Sequence, residues 1–243
     1  MKNCLIIGAG SDVAKALAVE FAKEGFNLQL AGRNVEDIGK TAADLQIRYE
    51  IKVETLYLDV LKFETHPDFF NNLNPKPEVV VAAAGLLGDQ KVTERDQSAT
   101  LRVINTNFTG IVSLLNEFAN YFENQGSGSI IGISSVAGDR GRMKNYIYGA
   151  AKAGFTAYLS GLRQRLSRKG VEVLSVQPGF INTKMLQGIE TPKPLTAEPE
   201  QVAKMIYNGF RSKKHVIYTP GYWRVIMFIV RSIPERIFVK LDL

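Results

Sequence analysis

The sequence predicts an α/β fold in a single domain, a doubly wound parallel sheet with helices on both faces, followed by an apolar and basic helical tail. Three observations predict it. Short, near-continuous apolar runs recur along the chain, as in strands covered on both faces. Helix-period stretches separate them, which is the order of a parallel sheet. The chain has 243 residues, 45% hydrophobic and 22% charged, a size and composition that suit one globular α/β unit with a large core. The sheet-and-helix domain is assigned to residues 1–210 and the tail to residues 211–243.

In order, residues 2–7 read as the first strand, 11–24 as a helix ending at Gly25, and 27–31 as the second strand. Residues 35–49 read as a helix, 52–57 as the third strand and 79–82 as the fourth. A long helical region covers 101–122, then 128–133 is the fifth strand, 146–168 a helix and 171–176 the sixth strand. Residues 184–200, with Pro192, Pro194 and Pro199, read as a loop. The single cysteine, Cys4, cannot form an internal disulfide, so a reducing compartment, the cytoplasm, is expected. With only His66 and His215 and no Cys/His cluster, no metal site is expected. The apolar run at the N-terminus is too short for a signal peptide.

The first strand runs into Gly8-Ala9-Gly10-Ser11-Asp12-Val13-Ala14 and then a helix. A glycine turn at that junction lets backbone approach a pyrophosphate at the helix N-terminus, the phosphate site of a Rossmann-type sheet. The bland alternative is a strand–helix turn capped by Ser11 or Asp12. The second strand ends in Gly32-Arg33, where NAD-binding versions place a carboxylate. Arg33 can instead pair with a 2′-phosphate, so NADP(H) is expected. Asp59, after the third strand, either accepts a hydrogen bond from an adenine amino group or caps its own turn. Tyr148 and Lys152 lie four residues apart at the start of a helix and so share a face. An ammonium there is expected to lower the tyrosine's pKa and fit it for acid–base work. Ser135 ends the fifth strand thirteen residues earlier, on a loop able to fold back.

These motifs, in this order and spacing, resemble the classical short-chain dehydrogenase/reductase family over residues 1–210. The resemblance implies that Ser135, Tyr148 and Lys152 form the catalytic set, joined by Asn107 of Asn107-Phe108-Thr109-Gly110. It implies a ketone reduced to a secondary alcohol by hydride transfer. Ser135 would bind the carbonyl oxygen, Tyr148 would supply the proton, Lys152 would hold the nicotinamide ribose, and Asn107 would position a water. Cofactor contacts are implied for Gly8, Ser11, Asp12 and Val13 of the first loop, and for Arg33. They continue with Asp59 and Val60, with Ala83 and Gly85, and with Pro178, Ile181 and Thr183 after the sixth strand, beside Tyr148 and Lys152 themselves. Two departures stand out. Asp12 and Ala14 occupy positions where the family has glycines, and Ala82-Ala83-Ala84-Gly85 replaces Asn-Asn-Ala-Gly. Reduction of a 3-oxoacyl thioester, or a non-catalytic NADP-binding role, are the competing readings. A homo-dimer or homo-tetramer is implied, through helices 101–122 and 146–168.

Of the net charge of +6, residues 211–243 carry +5, seven basic against two acidic. The basic residues are interleaved with aliphatic side chains rather than stacking platforms, so no nucleic-acid partner is expected. Residues 222–231 are strongly apolar, yet their longest uncharged run, 225–230, is far too short to span a bilayer. Pro234 begins a second short helix, whose Ile237, Phe238 and Leu241 are flanked by Arg236 and Lys240. Such a segment suits an interfacial helix at the inner face of an anionic membrane, through residues 222–243. It equally suits packing over a substrate pocket or docking to another subunit. With its Tyr218-Thr219-Pro220 lead-in, the tail resembles that of short-chain reductases acting on lipid-linked carbonyl substrates, the decaprenylphosphoryl keto-pentose reductases among them.

Overall fold

The computed structural model describes residues 2–241; Met1 and the last two residues of the expected tail, 242–243, lie outside the described residues. Seven strands form one parallel sheet. They are β1 (Asn3–Ile7), β2 (Asn27–Gly32), β3 (Val53–Tyr57), β4 (Val79–Ala82), β5 (Gly128–Ile133), β6 (Val171–Pro178) and, after the short strands β7 (Phe180–Ile181) and β8 (Thr196–Ala197), β9 (Val216–Thr219). The sheet order is β3-β2-β1-β4-β5-β6-β9, and β7 and β8 pair separately. The expected loop after residue 184 thus contains β8, and the sheet continues beyond residue 210, with β9 paired to β6.

Alternate residues of each strand face opposite sides, and in the inner strands such as β1, β4 and β6 both sides are apolar, which makes them read as continuous runs. Cys4 and Ile6 of β1 join one core with α1 (Asp12–Lys23) and α2 (Val35–Tyr49), while Leu5 and Ile7 face the other. Between β3 and β4 the chain forms α3 (His66–Asn72); beyond β4 come α4 (Gln90–Thr93), α5 (Gln97–Ile104) and α6 (Gly110–Gln125). Helix α7 (Tyr146–Leu166) covers the second core with α6, and α8 (Pro199–Arg211) returns to the first, against α1.

The single helix expected at 101–122 is α5, a π-turn at Asn105–Thr109 and α6. In the π-turn the Gly110 amide reaches back five residues to the Asn105 carbonyl. Such an insertion displaces the local ladder, and π-turns of this kind cluster at functional sites. Gly110 is required by a close approach, since a Cβ there would sit 2.2 Å from the Val60 carbonyl oxygen.

The tail is part of the body. Helix α9 (Trp223–Ser232) turns Trp223, Ile226, Met227 and Val230 inward, the i, i+3, i+4, i+7 positions of one face. Trp223 is 3% exposed and packs with Met227, Val136 and Phe180. The indole lies so close to Gly179 that a Cβ on that glycine would fall 1.9 Å from it. Arg140 fastens the far end. Its Nη1 donates to the Val230 and Ile233 carbonyls, each at 2.6 Å, where the last carbonyls of a helix favour a cation. Its Nη2 pairs with Glu235 at 2.7 Å, and its guanidinium lies 3.7 Å from the ring centroid of Phe238, in α10 (Glu235–Phe238). Gly179→Ala should therefore displace the indole, lowering stability in urea unfolding by about 1–3 kcal/mol. It should also red-shift the emission of Trp223, the chain's one tryptophan. Unchanged emission and midpoint together would contradict this packing.

Candidate active site

Strand order reverses at β1, whose neighbours are β2 and β4, and the crevice at such a switch point is where open α/β sheets bind ligands. Gly8 ends β1 with φ +82°. A Cβ there would lie 2.5 Å from the Ala84 amide nitrogen, so the first loop rests directly on the loop after β4. Ser11 caps α1, its hydroxyl accepting from the Ala14 amide at 3.2 Å. Asp12, left open as a possible cap, does something else. Its Oδ2 accepts from the Lys184 amide at 2.8 Å, tying the first loop to the segment after β7.

A cavity of about 2210 Å³ opens at these strand ends. Gly8, Ser11, Asp12, Val13, Arg33, Asp59, Val60, Ala83 and Gly85 line one part of it. Ser135, Tyr148 and Lys152 line it too, with Pro178, Ile181 and Thr183, and the inner face of α9 contributes Trp223, Ile226, Met227 and Val230. Arg33 is exposed on the wall at the end of β2. Asp59 caps its own turn, one carboxylate oxygen accepting from the Leu61 amide at 3.1 Å. Thr183 donates to the Ile181 carbonyl at 3.3 Å.

Asn107 differs from the other three residues expected to be catalytic. It is fully buried in the π-turn and does not line the cavity. Its Nδ2 donates to the carbonyls of Leu86 at 2.6 Å and Val103 at 2.8 Å, and its Oδ1 accepts from the Leu86 amide at 3.2 Å. Both amide hydrogens are thus committed to backbone. The side chain fixes the segment after β4, one residue from Gly85, whose added Cβ would lie 3.7 Å from Lys152 Nζ.

Ser135 follows β5, and its hydroxyl accepts from the Ala137 amide at 3.1 Å and bonds to Tyr148. Lys152, on α7, is 4% exposed. Its ammonium donates to the Ile133 carbonyl at 3.0 Å and lies 5.8 Å from the Tyr148 ring centroid. The expected lowering of the tyrosine's pKa is not what this site does. Burial pushes the Tyr148 phenol up to about 12, with the Ser135 hydrogen bond pulling the other way. The same burial pulls Lys152 down to about 8. Removal from water penalises each charged form, and it is the leading cause of both shifts. At neutral pH the resting site therefore holds a neutral phenol and a mostly charged lysine.

Sequence reasoning passed over Asp139, Arg140 and Arg142, in the loop between Ser135 and Tyr148. Asp139 accepts from the Tyr218 hydroxyl at 2.9 Å, and Arg142 Nη2 meets Met227 Sδ at 3.3 Å. A cluster of three charges close after Ser135 was the available clue. Among the described residues no group of three or more His, Cys, Asp or Glu is placed to hold a metal.

The sequence model of a family described as short chain dehydrogenase matches residues 2–194. The chain is 33% identical over 240 residues to an uncharacterized oxidoreductase of Mycobacterium tuberculosis, covering 98% of this chain and 96% of that one. It is 27% identical over 234 residues, 89% of each chain, to an NADP-dependent 3-hydroxy acid dehydrogenase of Schizosaccharomyces pombe. Among solved structures, a short-chain dehydrogenase from Sphingobium yanoikuyae in complex with NADPH superposes with a TM-score of 0.85 at 24% identity, over 97% of both chains.

The buried lysine makes a pH prediction. Its folded-state pKa, about 8, lies below the ordinary 10.5, so the native state loses stability as pH falls from 10.5 to 8. Lys152→Met removes that dependence. Relative to wild type, the variant should gain stability on descending from pH 10.5 to 8, and the gain should then level off. Urea midpoints measured across pH 6–11 test this, and a pH-independent difference would refute it.

Proposed function

The chain belongs to the short-chain dehydrogenase family and is an oxidoreductase, and on that premise we propose that it uses NADP(H) to reduce a hydrophobic ketone to a secondary alcohol. One observation carries the reading: Ser135, Tyr148 and Lys152 share a single cavity with the apolar inner face of α9.

The residues at the switch point fit the cofactor. Gly8 leaves bare backbone beside the N-terminus of α1, where a pyrophosphate is favoured. The Asp12 carboxylate, which would oppose that charge, is engaged by the Lys184 amide instead. Gly32 offers no carboxylate to the ribose, and Arg33 beside it is available for a 2′-phosphate. The Schizosaccharomyces relative and the Sphingobium structure, both named with an NADP form, agree with this choice.

When bound, the reduced nicotinamide supplies a hydride to the carbonyl carbon. Ser135 orients the carbonyl oxygen through its hydroxyl. Tyr148, kept protonated by burial, gives its proton to the oxygen as negative charge develops there. Lys152, positive at neutral pH and held by the Ile133 carbonyl, offsets the charge left on the phenol. Asn107 acts at one remove, by holding Leu86 and the segment beside Gly85. Helix α9 excludes water from the chamber and receives the apolar part of the substrate.

The other face of α9 gives the substrate a source. Val225, Phe228 and Ile229 are exposed, Phe228 by 73%, with Arg224 and Arg231 on the same helix and Arg236 and Lys240 following. No helix among the described residues is long and apolar enough to cross a membrane. Apolar side chains ringed by cations suit the surface of an anionic bilayer, with the chamber just beneath.

Two experiments test these readings. Tyr148→Phe should bind NADPH as wild type does but lose at least about 100-fold in kcat, the usual size of a general-acid contribution, whereas Arg33→Ala should mainly raise the KM for NADPH; near-normal turnover in Tyr148→Phe would sink the assignment. Phe228→Glu with Ile229→Glu should abolish flotation with anionic vesicles while sparing reduction of a short, water-soluble ketone. Flotation that persists would remove the membrane from the proposal.

A further inference from the structure

Arg142 lies on the wall of the chamber, between the catalytic loop and the α9 roof. It is partly buried. Among the described residues its guanidinium makes one hydrogen bond, from Nη2 to Met227 Sδ at 3.3 Å. A guanidinium carries five N–H donors, and a thioether is a weak acceptor. Asp139 is near enough to act on it electrostatically, yet forms no ion pair with it and accepts instead from the Tyr218 hydroxyl. Arg140, two residues earlier, shows the contrasting case, with carbonyls and a carboxylate occupying its donors.

A cation partly withdrawn from water, with a thioether as its one hydrogen-bond acceptor among the described residues, leaves donors facing the chamber for a bound anion. Burial does pull Arg142 below the ordinary arginine range. Its packing duty, filling space beside Met227, could be met by an uncharged side chain. Of the carboxylates on the same cavity wall, Asp12 and Asp59 are partly buried at the first and third strand ends and accept from backbone amides, and the other three stand differently. Asp89, Glu94 and Glu190 are exposed; Asp89 caps α4 and Glu94 accepts from the Tyr146 hydroxyl. They remain solvated, whereas Arg142 faces the apolar roof.

We propose that Arg142 is a substrate-binding residue that takes an oxyanion, a carboxylate or a phosphate, carried by the ketone whose apolar part lies under α9. The planar fork accepts either group through paired hydrogen bonds. The inference rests on the carbonyl-reduction reading and narrows it from hydrophobic ketones to amphiphilic, anionic ones. The roof and the guanidinium then bind different parts of one molecule, and Met227 is where the two meet.

The test compares three ketones of equal chain length: an oxo acid, its neutral methyl ester, and the corresponding keto phosphate monoester. NADPH oxidation is followed with wild type, Arg142→Met and Arg142→Lys. Wild type should favour at least one anionic ketone over the ester by about 10- to 100-fold in kcat/KM, the scale of a charge-assisted hydrogen-bond pair. Arg142→Met should erase that preference, chiefly through KM, while the ester's kcat/KM stays within about 3-fold of wild type. Arg142→Lys should restore part of it, having the charge without the fork. Preference for the acid alone identifies a carboxylate, and preference for the phosphate alone identifies a phosphate. Equal use of anionic and neutral ketones by wild type overturns the proposal, as does an equal loss on all three in Arg142→Met. If wild type reduces none of the three, the underlying reductase reading fails instead.

Discussion

A sheet of parallel strands whose two faces are both buried leaves one kind of place for chemistry, the row of carboxyl ends. Every strand of the main sheet here points the same way, and helices cover both faces. The loops after β1, β2, β3, β4, β5 and β6 therefore converge on one rim, and residues from each of them line one cavity. Reactive groups far apart in sequence meet because the sheet has nowhere else to put them. At that rim the Lys152 ammonium donates to the Ile133 carbonyl at 3.0 Å and joins α7 to the sheet. This bond brings a helix side chain to the end of β5, where Ser135 follows two residues later.

Much of this was legible in the sequence because it depends on short-range periodicity. The limits of α2, β4 and β5 agree with the apolar pattern, and a four-residue spacing is enough to place Tyr148 and Lys152 on one helix face. What escaped depends on longer-range geometry. Strand β9 has four residues and follows Lys213, Lys214 and His215, so it carries no run long enough to stand out, and only its pairing with β6 makes it a strand. Helix α8 begins at a proline tolerated in a first helical turn, which read as the continuation of a loop. The π-turn at Asn107 leaves no mark in composition, since it depends on how α5 and α6 meet the segment at Leu86.

The electrostatics of the site escaped for a related reason. A lysine four residues from a tyrosine suggests attraction, which alone would lower the phenol's pKa. Sequence gives the spacing but not the exclusion of water, and exclusion is the larger effect on both groups. The tail posed the same difficulty in another form. Its apolar residues occupy both faces of α9, so no hydrophobic pattern says which face is inward. The choice is made by Gly179, which admits the indole, and by Arg140, which holds the helix end.

Arg140 also sets an order of assembly. Its hydrogen-bond partners lie 90 to 95 residues further along the chain, after every strand of the sheet. Contacts of such long sequence separation carry the largest loop-closure cost and gain nothing until the intervening structure exists. During synthesis, Ser135, Tyr148 and Lys152 have all emerged well before residues 223–232. Those three side chains can be in place while the chamber still lacks its roof, and closing that chamber is among the last tasks of the newborn chain.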